Sequence, residues 1–246
     1  MSAPHHGDNA TRERSARANA GHRNNPAAFA ATLANDRERA LALTPVSRET
    51  SARLDRFVEL LLEWQRHTNL IAPSTEPAVW TRHIADSLQL LPLAVAARQG
   101  PQVWVDLGSG GGFPGLVIAS ALAGQPGAEV HLVESVGKKA TFLREAARAS
   151  GAPVEIHAMR IADFAKRAPK RIDIVTARAL APLPKLLAEA YPLLKRGARG
   201  LFPKGQDVAS ELTEAAKCWN IMATLAVSRT DPRSQIVIVD NLEPRV

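Results

Sequence analysis

The chain has 246 residues, 46% of them hydrophobic, with 31 Lys and Arg against 24 Asp and Glu and a net charge of +7. That is enough for one good-sized folded domain with extensions, and the basic balance points to an anionic partner, of which nucleic acid is the usual one. A single cysteine, Cys218, excludes a disulfide framework and a cysteine metal cluster and suits a reducing cytosol, and no apolar run is long enough to span a membrane.

In chain order, residues 1–30 are rich in Ala, Arg, Asn and His and almost free of bulky apolar side chains, so a disordered basic tail is expected. His5, His6 and His22 belong to that composition and are not expected to bind metal; no metal is expected anywhere. Residues 36–43 read as a short helix ended by Pro45. Ser47 then caps a helix whose Leu54, Phe57, Val58 and Leu61 share one face. A further helix is expected over 77–97, carrying RHIADSL. Residues 31–100 are thus expected to form a helical cap ahead of a domain over 101–246.

From residue 101 the pattern alternates. Strand-like runs at 102–107, 129–134, 154–159, 172–177 and 199–203 are separated by helical segments at 114–123, 137–150, 161–167, 184–195 and 207–219. Such alternation predicts an α/β fold, a doubly wound parallel sheet. Two last strands, 222–229 and 235–240, flank the turn-rich RTDPRS and read as an antiparallel hairpin at the sheet edge.

The chemistry concentrates in VWVDLGSGGGFPG, residues 103–115. A buried strand ends in Asp106, and Gly108, Gly110, Gly111 and Gly112 let the backbone turn tightly and approach a ligand. Two readings compete. Gly110, Gly112 and Gly115 form a G-x-G-x-x-G, the dinucleotide fingerprint of an NAD(P)-dependent oxidoreductase. Asp106 followed by Gly108, Gly110 and Gly112 is the first motif of S-adenosylmethionine (AdoMet) methyltransferases, and a carboxylate beside the loop favours a sulfonium over a pyrophosphate. The acid and the closing hairpin tilt the balance to AdoMet.

In open α/β sheets, ligands sit beyond the C-terminal strand ends. Those ends bring together the glycine loop, Glu134 (an acceptor for ribose hydroxyls), Ile161 and Ala162 (apolar flanks for an adenine), Arg178, and Lys204. His83 and Asp86, three apart on one helix, can meet. Lys138, Lys139, Arg144 and Arg148, and the cluster Lys166, Arg167, Lys170 and Arg171, are basic faces that serve RNA or solvent equally well. Cys218 reads as helix packing. No Pro-Cys nucleophile and no [ND]-P-P-[FYW] tetrapeptide occurs, which argues against cytosine C5 and exocyclic amine methylation.

HTNLIA, RHIADSL, DLGSGGGFPG, LVESVGKK, VTARALAPL and PKGQ occur in this order. Over about residues 45–241 the chain resembles the ribosomal RNA small-subunit methyltransferase G family, also called glucose-inhibited division protein B. The resemblance implies a Rossmann-like class I AdoMet methyltransferase sheet and transfer of a methyl group to N7 of one guanosine in the decoding-region loop of 16S rRNA. It implies AdoMet contacts at Gly108, Phe113, Ile161, Ala162 and Arg178, to which the loop and strand-end reading adds Gly110 and Glu134, and active-site or RNA-facing roles for Asn69, His83, Asp86, Arg178 and Lys204. The expected partner is 16S rRNA in the small ribosomal subunit, bound by a cytoplasmic monomer with no membrane association.

Overall fold

The structure, a computed structural model, describes residues 25–95 and 100–245. Seven strands form one sheet: β1 (Val103–Leu107), β2 (Glu129–Val133), β3 (Glu155–His157), β4 (Ile174–Thr176), β5 (Arg199–Lys204), β6 (Trp219–Val227) and β7 (Gln235–Pro244). Their order is β3-β2-β1-β4-β5-β7-β6. The first five are parallel, and β7 runs antiparallel between β5 and β6. The α/β sheet with its closing antiparallel pair is the architecture the alternating pattern predicts. The order reverses at β1 and β4, so the strand ends there open the crevice that ligands use in such sheets.

Both faces of the sheet are covered. Trp104, Val130, Leu132, Ile174, Leu201 and Ile236 face one core. That core is filled by helices α1 (Pro26–Leu43), α2 (Arg48–Trp64), α5 (Gly115–Leu122) and α6 (Gly137–Ser150). Val105, Leu107, Val133, Val175, Phe202 and Val237 face the other, against α7 (Ile161–Ala165), α8 (Leu183–Leu194) and α9 (Val208–Ala215). This period-two division explains why β1, wholly buried, reads as a continuous apolar run.

Several boundaries differ from the sequence reading. Helix α1 begins at Pro26, not near residue 36, so residues 26–30 are helical and leave the expected tail; the tail histidines lie outside the described residues. Asn25 accepts a hydrogen bond from Ala28 N–H as its cap. The expected single helix over 77–97 is a 3₁₀ turn (Pro73–Ala78), a π-helical turn (Trp80–Ala85), α3 (Asp86–Leu88) and α4 (Leu90–Val95). Asp36 of α1 fixes the π turn: its carboxylate accepts from Trp80 N–H (2.8 Å), Thr81 N–H (3.1 Å) and Thr81 Oγ1 (2.6 Å). Cys218 lies exposed in the turn before β6 rather than packed on a helix, because α9 ends at Ala215.

Candidate functional site: two clefts that meet at Ala179

Beyond the C-terminal strand ends lie two clefts. The first, about 560 Å³, is lined by Gly108 and Gly110 of the glycine loop, Glu134 after β2, Ile161 and Ala162 at the start of α7, and Leu180. The second, about 310 Å³, is lined by Asp86, Arg178, Lys204 and Glu211, with Thr230 and Asp231 from the β6–β7 turn. Ala179 lines both. Its φ of 51° makes it a non-glycine residue in the left-handed region. The turn there sends Arg178 to one cleft and Leu180 to the other, a feature the sequence does not announce.

The first cleft is tightly built. Gly108 and Gly110 have φ of 67° and 52°, and a Cβ on Gly108 would stand 2.5 Å from Leu180 Cδ1. Glu134 is buried; one oxygen accepts from Gly110 N–H (2.9 Å) and the other from Val136 N–H (2.7 Å). Each oxygen keeps a second lone pair. Glu134 thus braces the loop and the entry to α6 while lining the cleft.

Asp106 does something other than the sequence reading suggests. It is absent from the lining of the first cleft and is 1% exposed. Its carboxylate accepts from Thr176 Oγ1 (2.8 Å) and from Gly115 N–H (3.3 Å), joining β1 to β4 and to the start of α5. Burial pushes its pKa up to about 6, against the hydrogen bonds, with Glu134 adding to the rise. Its charge therefore anchors a helix N-terminus instead of facing a sulfonium.

Arg178 does not line the first cleft, although its guanidinium stands 6.0 Å from the ring of Phe113 at the end of the glycine loop. It lines the second cleft, and its Nε pairs with Asp86 Oδ2 at 3.3 Å while its Nη1 is buried without a hydrogen-bond partner. Burial lowers its pKa, opposed by Asp86. Asp86 is further held by Gln89 Nε2 (2.8 Å) and Thr230 Oγ1 (2.8 Å), which tie α3 to the β6–β7 turn. Lys204 is half-buried and paired rather than a free surface cation: Nζ pairs with Glu211 (2.6 Å) and donates to Ala181 O (3.1 Å).

Three expected contacts fall outside both clefts. Phe113 is buried between Phe57 (ring centroids 5.3 Å), His83 (4.8 Å) and the Arg178 guanidinium (6.0 Å). His83 does not pair with Asp86; its Nε2 sits 2.7 Å from Thr75 Oγ1, and burial, with Arg178 and Arg82, holds its pKa down to about 2. It is a neutral ring under Phe113. Asn69 is exposed on the loop after α2, next to Leu70, whose carbonyl abuts Gly111. The resemblance implies site roles for these residues but does not say which face of the loop each one meets.

The family model described as rRNA small subunit methyltransferase G matches residues 50–235. Several proteins named ribosomal RNA small subunit methyltransferase G are 52–60% identical to this chain over 80–89% of its length. That of Bradyrhizobium sp. strain BTAi1 is 60% identical over 86% of this chain and 93% of its own length. That of Nitrobacter hamburgensis is 59% identical over 86% of this chain and 80% of its own. Among solved structures, an O-methyltransferase from Bacillus cereus in complex with SAH matches with a TM-score of 0.55 at 15% identity, covering 87% of this chain and 100% of that one, a likeness of fold. These matches overturn the oxidoreductase reading of the glycine loop and leave the methyltransferase one. The chain belongs to the rRNA small subunit methyltransferase G family.

Proposed function

We propose that the protein uses AdoMet to methylate N7 of a single guanosine in the decoding-region loop of 16S rRNA, with the first cleft holding the cofactor and the second the guanine. The observation that carries this reading is the pair of clefts meeting at Ala179, one built on glycines and Glu134, the other on Arg178 with an unpartnered buried Nη1.

AdoMet fits the residues of the first cleft. At about 560 Å³ it lies in the range of small-molecule sites. Glu134 would accept from the ribose hydroxyls, Ile161 and Ala162 would flank the adenine, and Gly108 and Gly110 leave room for close backbone approach. When bound, AdoMet would supply an electrophilic methyl on a sulfonium, the S–CH₃ bond breaking to leave a neutral thioether as the N7 lone pair takes the methyl.

N7 of guanine carries no proton, so no general base is required, and the second cleft suits such a nucleophile. Three of its carboxylates, Asp86, Glu211 and Asp231, are each engaged by a cation (Arg178, Lys204 and Arg82), while the fourth, Asp207, is exposed to solvent. Arg178 Nη1 is free to donate to the guanine O6 or a phosphate. His83 is neutral and turned to Thr75 and Phe113, where it positions the aromatic wall under Arg178. Rate enhancement would come from orientation and exclusion of water. The division into a helical cap over 31–100 and a cofactor domain over 101–246 belongs to the same proposal, as do a cytoplasmic location, a monomeric state, and an RNA-facing role for Asn69. No helix among the described residues is long and apolar enough to cross a membrane.

The test is incubation of the protein with labelled AdoMet and small ribosomal subunits lacking this modification, with NAD binding measured in parallel. Label in 16S rRNA, with AdoMet bound and NAD not, supports the reading; bound AdoMet with unlabelled RNA refutes the assigned substrate.

A further inference from the structure

On the α7 face of the sheet, behind the first cleft and outside the lining of both clefts, four chemistry-bearing side chains converge at the edge. In the parallel register His131 of β2 stands opposite Glu155 of β3, and Val133 opposite His157. Residues two apart share a face, so Glu129 and His131 project beside Glu155 and His157. His131 Nδ1 lies 3.1 Å from His157 Nε2 and 3.4 Å from Glu155 Oε2, and His157 Nε2 lies 3.6 Å from Glu155 Oε1. Phe164 of α7 packs on the His157 ring at 4.7 Å and closes the inner side.

Those separations are the informative quantity. Donors bound at about 2.0–2.1 Å around a tetrahedral Zn²⁺ stand about 3.3–3.4 Å apart. The separations of 3.1, 3.4 and 3.6 Å, the last two to different oxygens of Glu155, bracket that edge length before any ion is added. We propose that His131 Nδ1, His157 Nε2 and the Glu155 carboxylate form a binding site for one divalent transition-metal ion of the zinc class. Water completes the coordination on the exposed side, where Glu155 is 67% accessible.

The remaining nitrogen of His131 supports this. His131 is buried, and its Nε2 has no hydrogen-bond partner. Coordination through Nδ1 requires the proton on Nε2, and Glu129 Oε2 lies 3.7 Å from Nε2. A ligating histidine whose far N–H faces a carboxylate is the usual outer arrangement of a metal site. Two imidazoles and one carboxylate suit zinc, nickel or copper and not magnesium or calcium. The ion would pin the edge strand β3 to β2, the two strands that lead into Ile161 and Glu134. A metal here departs from the expectation of none drawn from the sequence.

The experiment is calorimetric titration of untagged, chelator-stripped, full-length protein with Zn²⁺, with Co²⁺ as a spectroscopic probe and Mg²⁺ as a control. The wild type should bind Zn²⁺, melt at a higher temperature with it, give a tetrahedral Co²⁺ spectrum and ignore Mg²⁺. His131→Gln with His157→Gln should remove the site. Glu155→Gln should weaken Zn²⁺ by about tenfold or more, and Glu129→Gln by roughly 10–100-fold, the effect of an outer partner. The last two residues are 67% and 59% exposed, so their replacement leaves the fold intact even if the double histidine variant does not fold. Since His5, His6 and His22 could also take up zinc, the difference between wild type and these variants is the readout. No Zn²⁺ binding by the wild type, or unchanged affinity in Glu155→Gln and Glu129→Gln, overturns the proposal.

Discussion

Asp106 makes a stability prediction with a definite sign. Its pKa is about 6 in the folded protein against an ordinary 3.8, because burial penalises the charged carboxylate. Between those values the folded state holds a proton that the unfolded state has released, so stability falls as pH rises. Below about pH 4 the carboxyl is protonated in both states and the stabilisation is fully present; it is lost as pH rises through 6. A shift of about two units corresponds to about 3 kcal/mol. Asp106→Asn removes this titration while keeping the shape. Its amide oxygen can accept from Gly115 N–H, and its NH₂ can donate to Thr176 Oγ1, whose hydroxyl rotates to accept. Urea denaturation of both proteins from pH 4 to pH 7 gives the difference in unfolding free energy. The wild type should lose about 2 kcal/mol relative to the variant across that range, the rest of the shift falling below pH 4. A flat difference, or one of opposite sign, refutes the assignment of the rise to this buried carboxyl.

Three further outcomes are expected. Arg178→Met should lower single-turnover methyl transfer by about 100-fold, the cost of one positioned donor, while AdoMet affinity measured by calorimetry stays within a few-fold; unchanged transfer contradicts the role of Nη1. Glu134→Gln should weaken AdoMet by about tenfold or more, since a hydrogen bond to a charged group is worth roughly 1.5–3 kcal/mol, and equilibrium dialysis reads this directly. Asp36→Ala strips the π turn of the acceptor for Trp80 and Thr81 and should destabilise the protein by about 3 kcal/mol in a denaturation curve, with Asp36→Asn recovering part of it.

The sheet and its ligand-bearing end are legible in the sequence because they rest on local signals. Buried parallel strands are continuous apolar runs, a glycine loop needs glycine for its positive φ values, and Glu134 follows directly from the end of β2. What the sequence hides depends on contacts distant in the chain. Helix α1 has little amphipathic pattern and is held by Asp36 reaching residues more than 40 positions away, so only its last half is readable. The π turn under RHIADSL is equally tertiary. Asp106 sits in a strand buried on both faces, where alternation cannot say whether its carboxylate meets a ligand or a helix end. Arg178, Phe113 and His83 are close in the fold, yet their stacking takes Phe113 out of the cofactor cleft and leaves Arg178 in the other. The His131, Glu155 and His157 cluster depends on the register between β2 and β3, which no local pattern encodes.

The central claim is the identity of the methylated atom. The most direct measurement is nucleoside mass spectrometry, with site mapping, of 16S rRNA from small subunits treated with the protein and AdoMet. The account predicts one new 7-methylguanosine, at a single position in the decoding-region loop, absent when Arg178→Met replaces the wild type. Methyl groups on another atom or nucleoside, or scattered over many guanosines, would contradict it.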